Sequence, residues 1–137
     1  MGQQQLLLLV LAVIIVGIAI VVGITMFNAQ AASANLDAVT NDLMDLGSRA
    51  QQYYIRPLSM GGGGGSFTNL EIGHLWPAVV GATQVTNDNG TYTTTTGGQT
   101  ITITGVGTQD GDKDLTPCTA TATVDSNAAI TIAVVSR

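Results

Sequence analysis

Residues 6–27 read LLLLVLAVIIVGIAIVVGITMF, with neither a charge nor a proline. As a helix, about 22 residues reach roughly 33 Å, enough to cross the hydrocarbon core of a bilayer. The segment is apolar on all sides, so it must be covered by lipid or by other protein. The usual orientation signals are missing. No Lys or Arg flanks the segment, and the first basic residue is Arg49. The charge-free start Met1-Gly2-Gln3-Gln4-Gln5 lacks the basic opening of a secretory signal. The myristoylation pattern fails as well, because Leu6 stands where Ser or Thr is wanted. The expectation is a processed chain, cut from a short basic leader that preceded Met1.

The helical period continues past the apolar block. From Asn28 the chain turns polar, yet Leu36, Val39, Leu43, Leu46, Ala50 and Tyr53 recur at steps of three and four. They form one stripe, with Asp37, Asn41, Asp42, Asp45, Ser48 and Arg49 mostly off it. Arg56-Pro57 ends the pattern, since a residue before Pro avoids the α region. The spacing therefore predicts one helix over about residues 2–55, roughly 80 Å long. Its first half, residues 1–27, has nothing in its own chain to pack on. Gly17 and Gly23 lie inside that half. They read either as small residues for close helix packing or as a locally weakened stretch.

Residues 28–137 hold the second half of the helix, a glycine-rich connection at 61–66 and a β-rich remainder. The five consecutive glycines at 61–65 read as a flexible linker, or else as a tightly bent loop packed on neighbouring subunits. Residues 67–89 read as a loop with room for one short element. Thereafter apolar and Thr positions alternate. Residues 91–96 and 99–104 flank Gly97-Gly98, and residues 119–124 and 129–134 flank Ser126-Asn127. These are two hairpins. Ile101, Ile103, Ala120, Ala122, Val124, Ile130, Ile132 and Val134 define a buried face, with Thr on the wet one. The stripe from Leu36 to Tyr53 is the cover that this face needs. The fold class is α+β: a long N-terminal helix whose C-terminal half packs on a four-stranded antiparallel sheet.

Composition argues against several functions. Charged residues are 9% of the chain and the formal net charge is −5, so there is no basic footprint for nucleic acid. The single cysteine, Cys118, permits no internal disulfide. It reads as a buried filler, or else as a crosslink between subunits. His74 is the only histidine and reads as structural or surface-exposed. No nucleophile–base set or phosphate-loop pattern is visible, so an enzyme is not expected. Asp110, Asp112 and Asp114 stand at alternate positions, like the start of a calcium loop. The later positions of such a loop want Gly and Glu, where Leu115 and Thr121 stand. The two readings are a solvated turn and a weak Ca²⁺ site, with no other cofactor expected. Asn89-Gly90-Thr91 matches the N-glycosylation acceptor pattern.

An apolar helix half, an amphipathic half, a loop and a small β-rich domain together resemble a type IV pilin. The likeness covers the whole chain in architecture, while the sharp motif covers about the first 25 residues. It implies cleavage by a leader peptidase and a methylated N-terminus. It implies a membrane-held pool before assembly and then a helical homopolymer at the cell surface, active in adhesion. The family commonly carries Glu at the fifth position, paired with the amine of a neighbour. Gln5 stands here and accepts a hydrogen bond without charge. The family also often has a helix-breaking Pro near the twenty-second position, where Val22 stands. The assembly residues so implied are Met1 and Gln5 as polar contacts, with Leu6, Leu9, Val13, Val16, Ile20 and Phe27 as apolar ones. Gly17 and Gly23 take the place of the missing Pro. Archaeal pilins and the pseudopilins of type II secretion share the plan, and calcium binding would favour the latter. A single-span membrane protein displaying a β domain is the alternative of a different class.

Overall fold

A computed structural model of the protein describes residues 2–76, 81–111 and 115–137. One helix, α1, runs unbroken over Gly2–Ile55, as the periodicity predicts. It stops at Arg56-Pro57, and a short 3₁₀ turn follows over Leu58–Met60. The glycine run then folds back over the helix end. The backbone N–H of Gly63 donates to Tyr53 O at 2.8 Å, and that of Gly65 donates to Tyr54 O at 2.9 Å. Gly64 N–H reaches Arg56 O at 3.0 Å. Carbonyls that a helix terminus leaves open are thus satisfied. A Cβ on Gly63 would collide with the Ser66 carbonyl and meet the Tyr53 ring at 2.9 Å. The run is therefore a cap with fixed geometry, bent as the second reading expects, but packed on its own helix.

A four-residue helix, α2 (Ile72–Leu75), leads to a five-stranded antiparallel sheet. The strands are β1 (Gln84–Thr86), β2 (Gly90–Thr96), β3 (Thr100–Gly107), β4 (Thr119–Asp125) and β5 (Ile130–Ser136). They lie in sequence order as a meander. The expected count of four is corrected by β1, which pairs Val85 with Tyr92 and Thr86 with Thr91. Three residues are too few for an alternation to register. In the first hairpin Gly97 N–H bonds Thr100 O at 2.8 Å, which puts Gly98 at the tip with φ 79°. The second closes with a three-residue loop, whose last residue, Ala128, is left-handed at φ 65°.

The core lies between α1 and the middle of the sheet. Val39, Leu43, Leu46 and Ala50 are fully buried, and so are Ile101, Ile103, Ala120, Ala122 and Val124. Phe67, Leu70, Ile72 and Leu75 close one side around the buried Tyr92. Glycines set the helix-to-sheet distance. A Cβ on Gly105 would sit 2.7 Å from Val39 Cγ1, and one on Gly47 would sit 3.2 Å from Ile130 Cδ1. One expected core residue is corrected: Val134 is 46% exposed. The helix covers β3 and β4 and reaches little of β5, so Ile130 and Ile132 are half-buried at the margin. The pairing of β4 with β5 also slips between Thr119 and Ala120.

Leu43→Ala is expected to cost about 2–5 kcal/mol, the usual range for a core leucine, read from denaturant unfolding of the whole chain in detergent. By contrast, Ala128→Gly should gain up to about 1 kcal/mol, because a Cβ is disfavoured in the left-handed region. A loss of stability in the second variant would show that its loop carries no such strain.

Candidate functional site

Among the described residues, nothing covers the first half of α1. Every large apolar side chain from Leu6 to Phe27 is between 49% and 73% exposed, and the first buried helix residue is Ala32. This stretch is long and apolar enough to cross a membrane. Leu6, Leu9, Val13, Val16, Ile20 and Phe27 repeat at three- and four-residue steps, with a seven-residue gap at the end, and so fall along one side. Gln5 is exposed at the helix start, and Met1 lies outside the described residues. The helix is continuous through Gly17 and Gly23, and nothing lies within 4 Å of a Cβ built on either. Their smallness is unused inside the chain. The one hydroxyl of the block is satisfied locally, since Thr25 Oγ1 donates to Val22 O at 2.8 Å.

C-terminal to this bare stretch, a polar cluster ties the helix to the sheet. Asp42 Oδ2 accepts from Tyr92 Oη at 2.6 Å, from Asn89 Nδ2 at 2.8 Å and from Asn87 Nδ2 at 2.9 Å. Burial, the largest single influence, pushes the Asp42 carboxyl up. Three hydrogen bonds outweigh it and hold the group below the ordinary carboxylate value. The Tyr92 phenol is pushed well above its usual value, first by burial and then by the hydrogen bond and charge of Asp42. Two helical turns earlier, Asn35 Nδ2 donates to Asn89 O at 2.8 Å. Its Oδ1 accepts Thr108 N–H at 2.9 Å and Cys118 Sγ–H at 3.0 Å. The sequence reading put Asp42 off the apolar stripe and did not single out Asn35. The available signal was their spacing of seven, which places both polar groups along one margin of the stripe.

The remaining candidates resolve singly. Cys118 is fully buried, and burial raises its thiol above the ordinary value. Such a thiol is out of reach of a second copy. Asn89 lies in the acceptor pattern, but the amide nitrogen that a glycan would use already donates to Asp42. His74 Nδ1 accepts the Glu71 N–H at 3.2 Å, a structural role. Asp110 Oδ2 accepts the Leu115 N–H at 2.9 Å, whereas Asp112 and Asp114 lie outside the described residues. Among the described residues, no three His, Cys, Asp or Glu gather to hold a metal. Comparison with protein-family models, with curated proteins and with solved structures found no match.

The Asp42 cluster makes stability depend on pH at both ends. A carboxyl lowered on folding contributes fully above its unfolded value of about 3.9, and the contribution is lost as pH falls through the lower folded value. A phenol raised on folding contributes fully below about 10 and loses its contribution as pH climbs through the folded value. Asp42→Ala should therefore cost about 1–3 kcal/mol at neutral pH and flatten the acid limb of a urea-midpoint profile against pH. An acid limb identical to that of the unmodified chain would refute this role for Asp42.

Proposed function

We propose that the chain is a structural subunit of a helical filament, similar in plan to a type IV pilin, and not an enzyme. One observation carries the reading: a single 54-residue helix is bare and apolar over its first half and anchored in a folded domain over its second. Before assembly the bare half would sit in the inner membrane, where lipid covers it. On assembly the same half would enter a central bundle made from copies of itself. Apolar burial stabilises by about 25 cal/mol per Å², and in either setting the covered surface is the same. Exchanging lipid for neighbouring helices then costs little in hydrophobic terms. Close packing, aided by the open notches at Gly17 and Gly23, would favour the bundle.

The polar residues at the helix start fit the same picture. Met1 and Gln5 would be buried in the bundle, where each polar group needs a partner. The amine of one copy and the Gln5 carbonyl of another would supply a hydrogen-bonded version of the family's charged pair, with no charge from Gln5. A leader peptidase and an inner-membrane assembly machine are the further partners. The sheet domain would face outward, at the surface of an extracellular fibre.

Fibres sheared from producing cells, imaged by cryo-electron microscopy, should have the 6–27 helices at the axis and the sheets outside. Val13→Lys should reduce fibre yield at least about tenfold, because a charge at the centre of an apolar helix costs about 2.5–3.5 kcal/mol on insertion scales. The sheet domain of that variant should unfold at an unchanged denaturant midpoint. Monomers that remain in the membrane and yield no fibres would instead make the chain a single-span display protein.

A further inference from the structure

The chain has four Lys and Arg against nine Asp and Glu. Two of the four cations, Arg49 and Arg56, converge on one open cavity of about 280 Å³, which Gln52, Tyr53, His74 and Leu75 also line. Among the described residues, no carboxylate lines it. Arg49 is tethered, with Nη1 donating to Leu75 O at 2.9 Å and Nη2 paired with Asp45 at 2.9 Å. Arg56 is exposed, and its guanidinium has no hydrogen-bond or ion-pair partner among the described residues. His74 is occupied on Nδ1, which leaves Nε2–H as the free donor of the neutral ring. With Asp45 paired to Arg49 alone, Arg56 and His74 remain as open donors at the cavity, and that edge suits a carboxylate. A cation near a helix C-terminus can also serve the helix dipole. Here the Tyr53 and Tyr54 carbonyls are already taken by Gly63 and Gly65, so Arg56 is not needed as their cap.

Lower on the domain, Asp88 offers an exposed carboxylate on a fixed turn. Asp88 is the middle residue of the turn between β1 and β2. Its neighbours Asn87 and Asn89 both donate to Asp42. Asn87 Oδ1 also accepts the N–H groups of Asn89 and Gly90, each at 2.9 Å. The turn is thus fixed, which lowers the entropy cost of using it in a contact. Asp88 itself is exposed and has no side-chain partner among the described residues.

The two features differ in height along the helix. Asp42 and Arg49 are two turns apart on α1, about 10 Å, and Arg56 lies just past the helix end, about as far again. The Asp88 turn, bonded to Asp42, therefore lies about 10–20 Å below the cavity along the helix axis. A neighbouring copy shifted upward by that distance brings its own Asp88 level with the cavity. Each copy offers both halves of such a contact, so the contact repeats without closing.

We propose that the Arg49–Arg56–His74 cavity of one copy receives Asp88 of an axially displaced second copy. This inference rests on the filament reading and adds its outer contact and stagger. The test compares fibre yield by electron microscopy for the unmodified chain, Arg56→Glu, Asp88→Arg and the combined swap. Each single reversal should cut fibres at least about tenfold, since like charges then face each other. The swap should recover most of the yield. Membrane-pool levels and unfolding midpoints should stay unchanged, because both side chains are exposed. Normal yield in either single variant, or no recovery in the swap, would overturn this contact and leave the filament reading standing. Absence of fibres from the unmodified chain would overturn both.

Discussion

Everything in this molecule depends on a narrow seam, the packing of Val39, Leu43, Leu46 and Ala50 onto β3 and β4. The sheet cannot bury Ile101, Ile103 and Val124 without that helix, and the helix stripe finds most of its apolar cover on the sheet. Glycine sets how close they come. At Gly105 a side chain would meet both Val39 and the Tyr92 ring, so the backbone itself forms the floor under the helix. The seam is also short: it engages only the second half of a 54-residue rod. The first half projects from it as an unsupported extension.

Polar contacts do what apolar packing cannot, which is to fix position along the rod. A greasy stripe on a flat sheet tolerates sliding. Asp42 and Asn35 do not, because each gathers several directional bonds from different segments of the sheet domain. A one-turn slide would strand a buried phenol and a carboxylate without partners, a cost of several kcal/mol at typical penalties of about 1–3 each. The chain spends few of its charges elsewhere inside the domain. The lone ion pair among the described residues, Arg49 with Asp45, lies on the surface and adds little to stability.

What could be read in advance follows from how far each signal extends along the chain. The helix and its stripe were legible because the period persists from Leu36 to Tyr53. The two Thr-rich hairpins were legible because the alternation runs six residues on each side. β1 and α2 escaped because three and four residues leave no period. Val134 misled because alternation assigns a face, not the extent of its cover. The glycine run concealed a fixed cap, since composition registers freedom and not the carbonyls waiting at the helix end. The Asp42 cluster needed partners some 45 to 50 residues away, which no local pattern encodes. The bare helix half, in contrast, was fully legible as a surface needing cover. What covers it was suggested by likeness of plan, and that remains the proposed part.

A single unbroken helix joining two contact surfaces imposes a further condition on the proposed filament. The rod does not stretch, so the axial step between copies is shared by both ends. Residues 6–27 must interlock at that step in the bundle, and the sheet domains must meet at the same step outside. Helix packing repeats roughly every turn, about 5.4 Å, and so allows several staggers of similar energy. A charged contact between exposed groups is weak in affinity but strong in choice. The apolar bundle would then supply most of the cohesion, and Arg56 with Asp88 would select one stagger from the set. Their pairing needs little strength for this, only a penalty on the alternatives. That division suits a subunit with so few charges: cohesion comes from surface that lipid can also cover, and register from the polar groups left outside it.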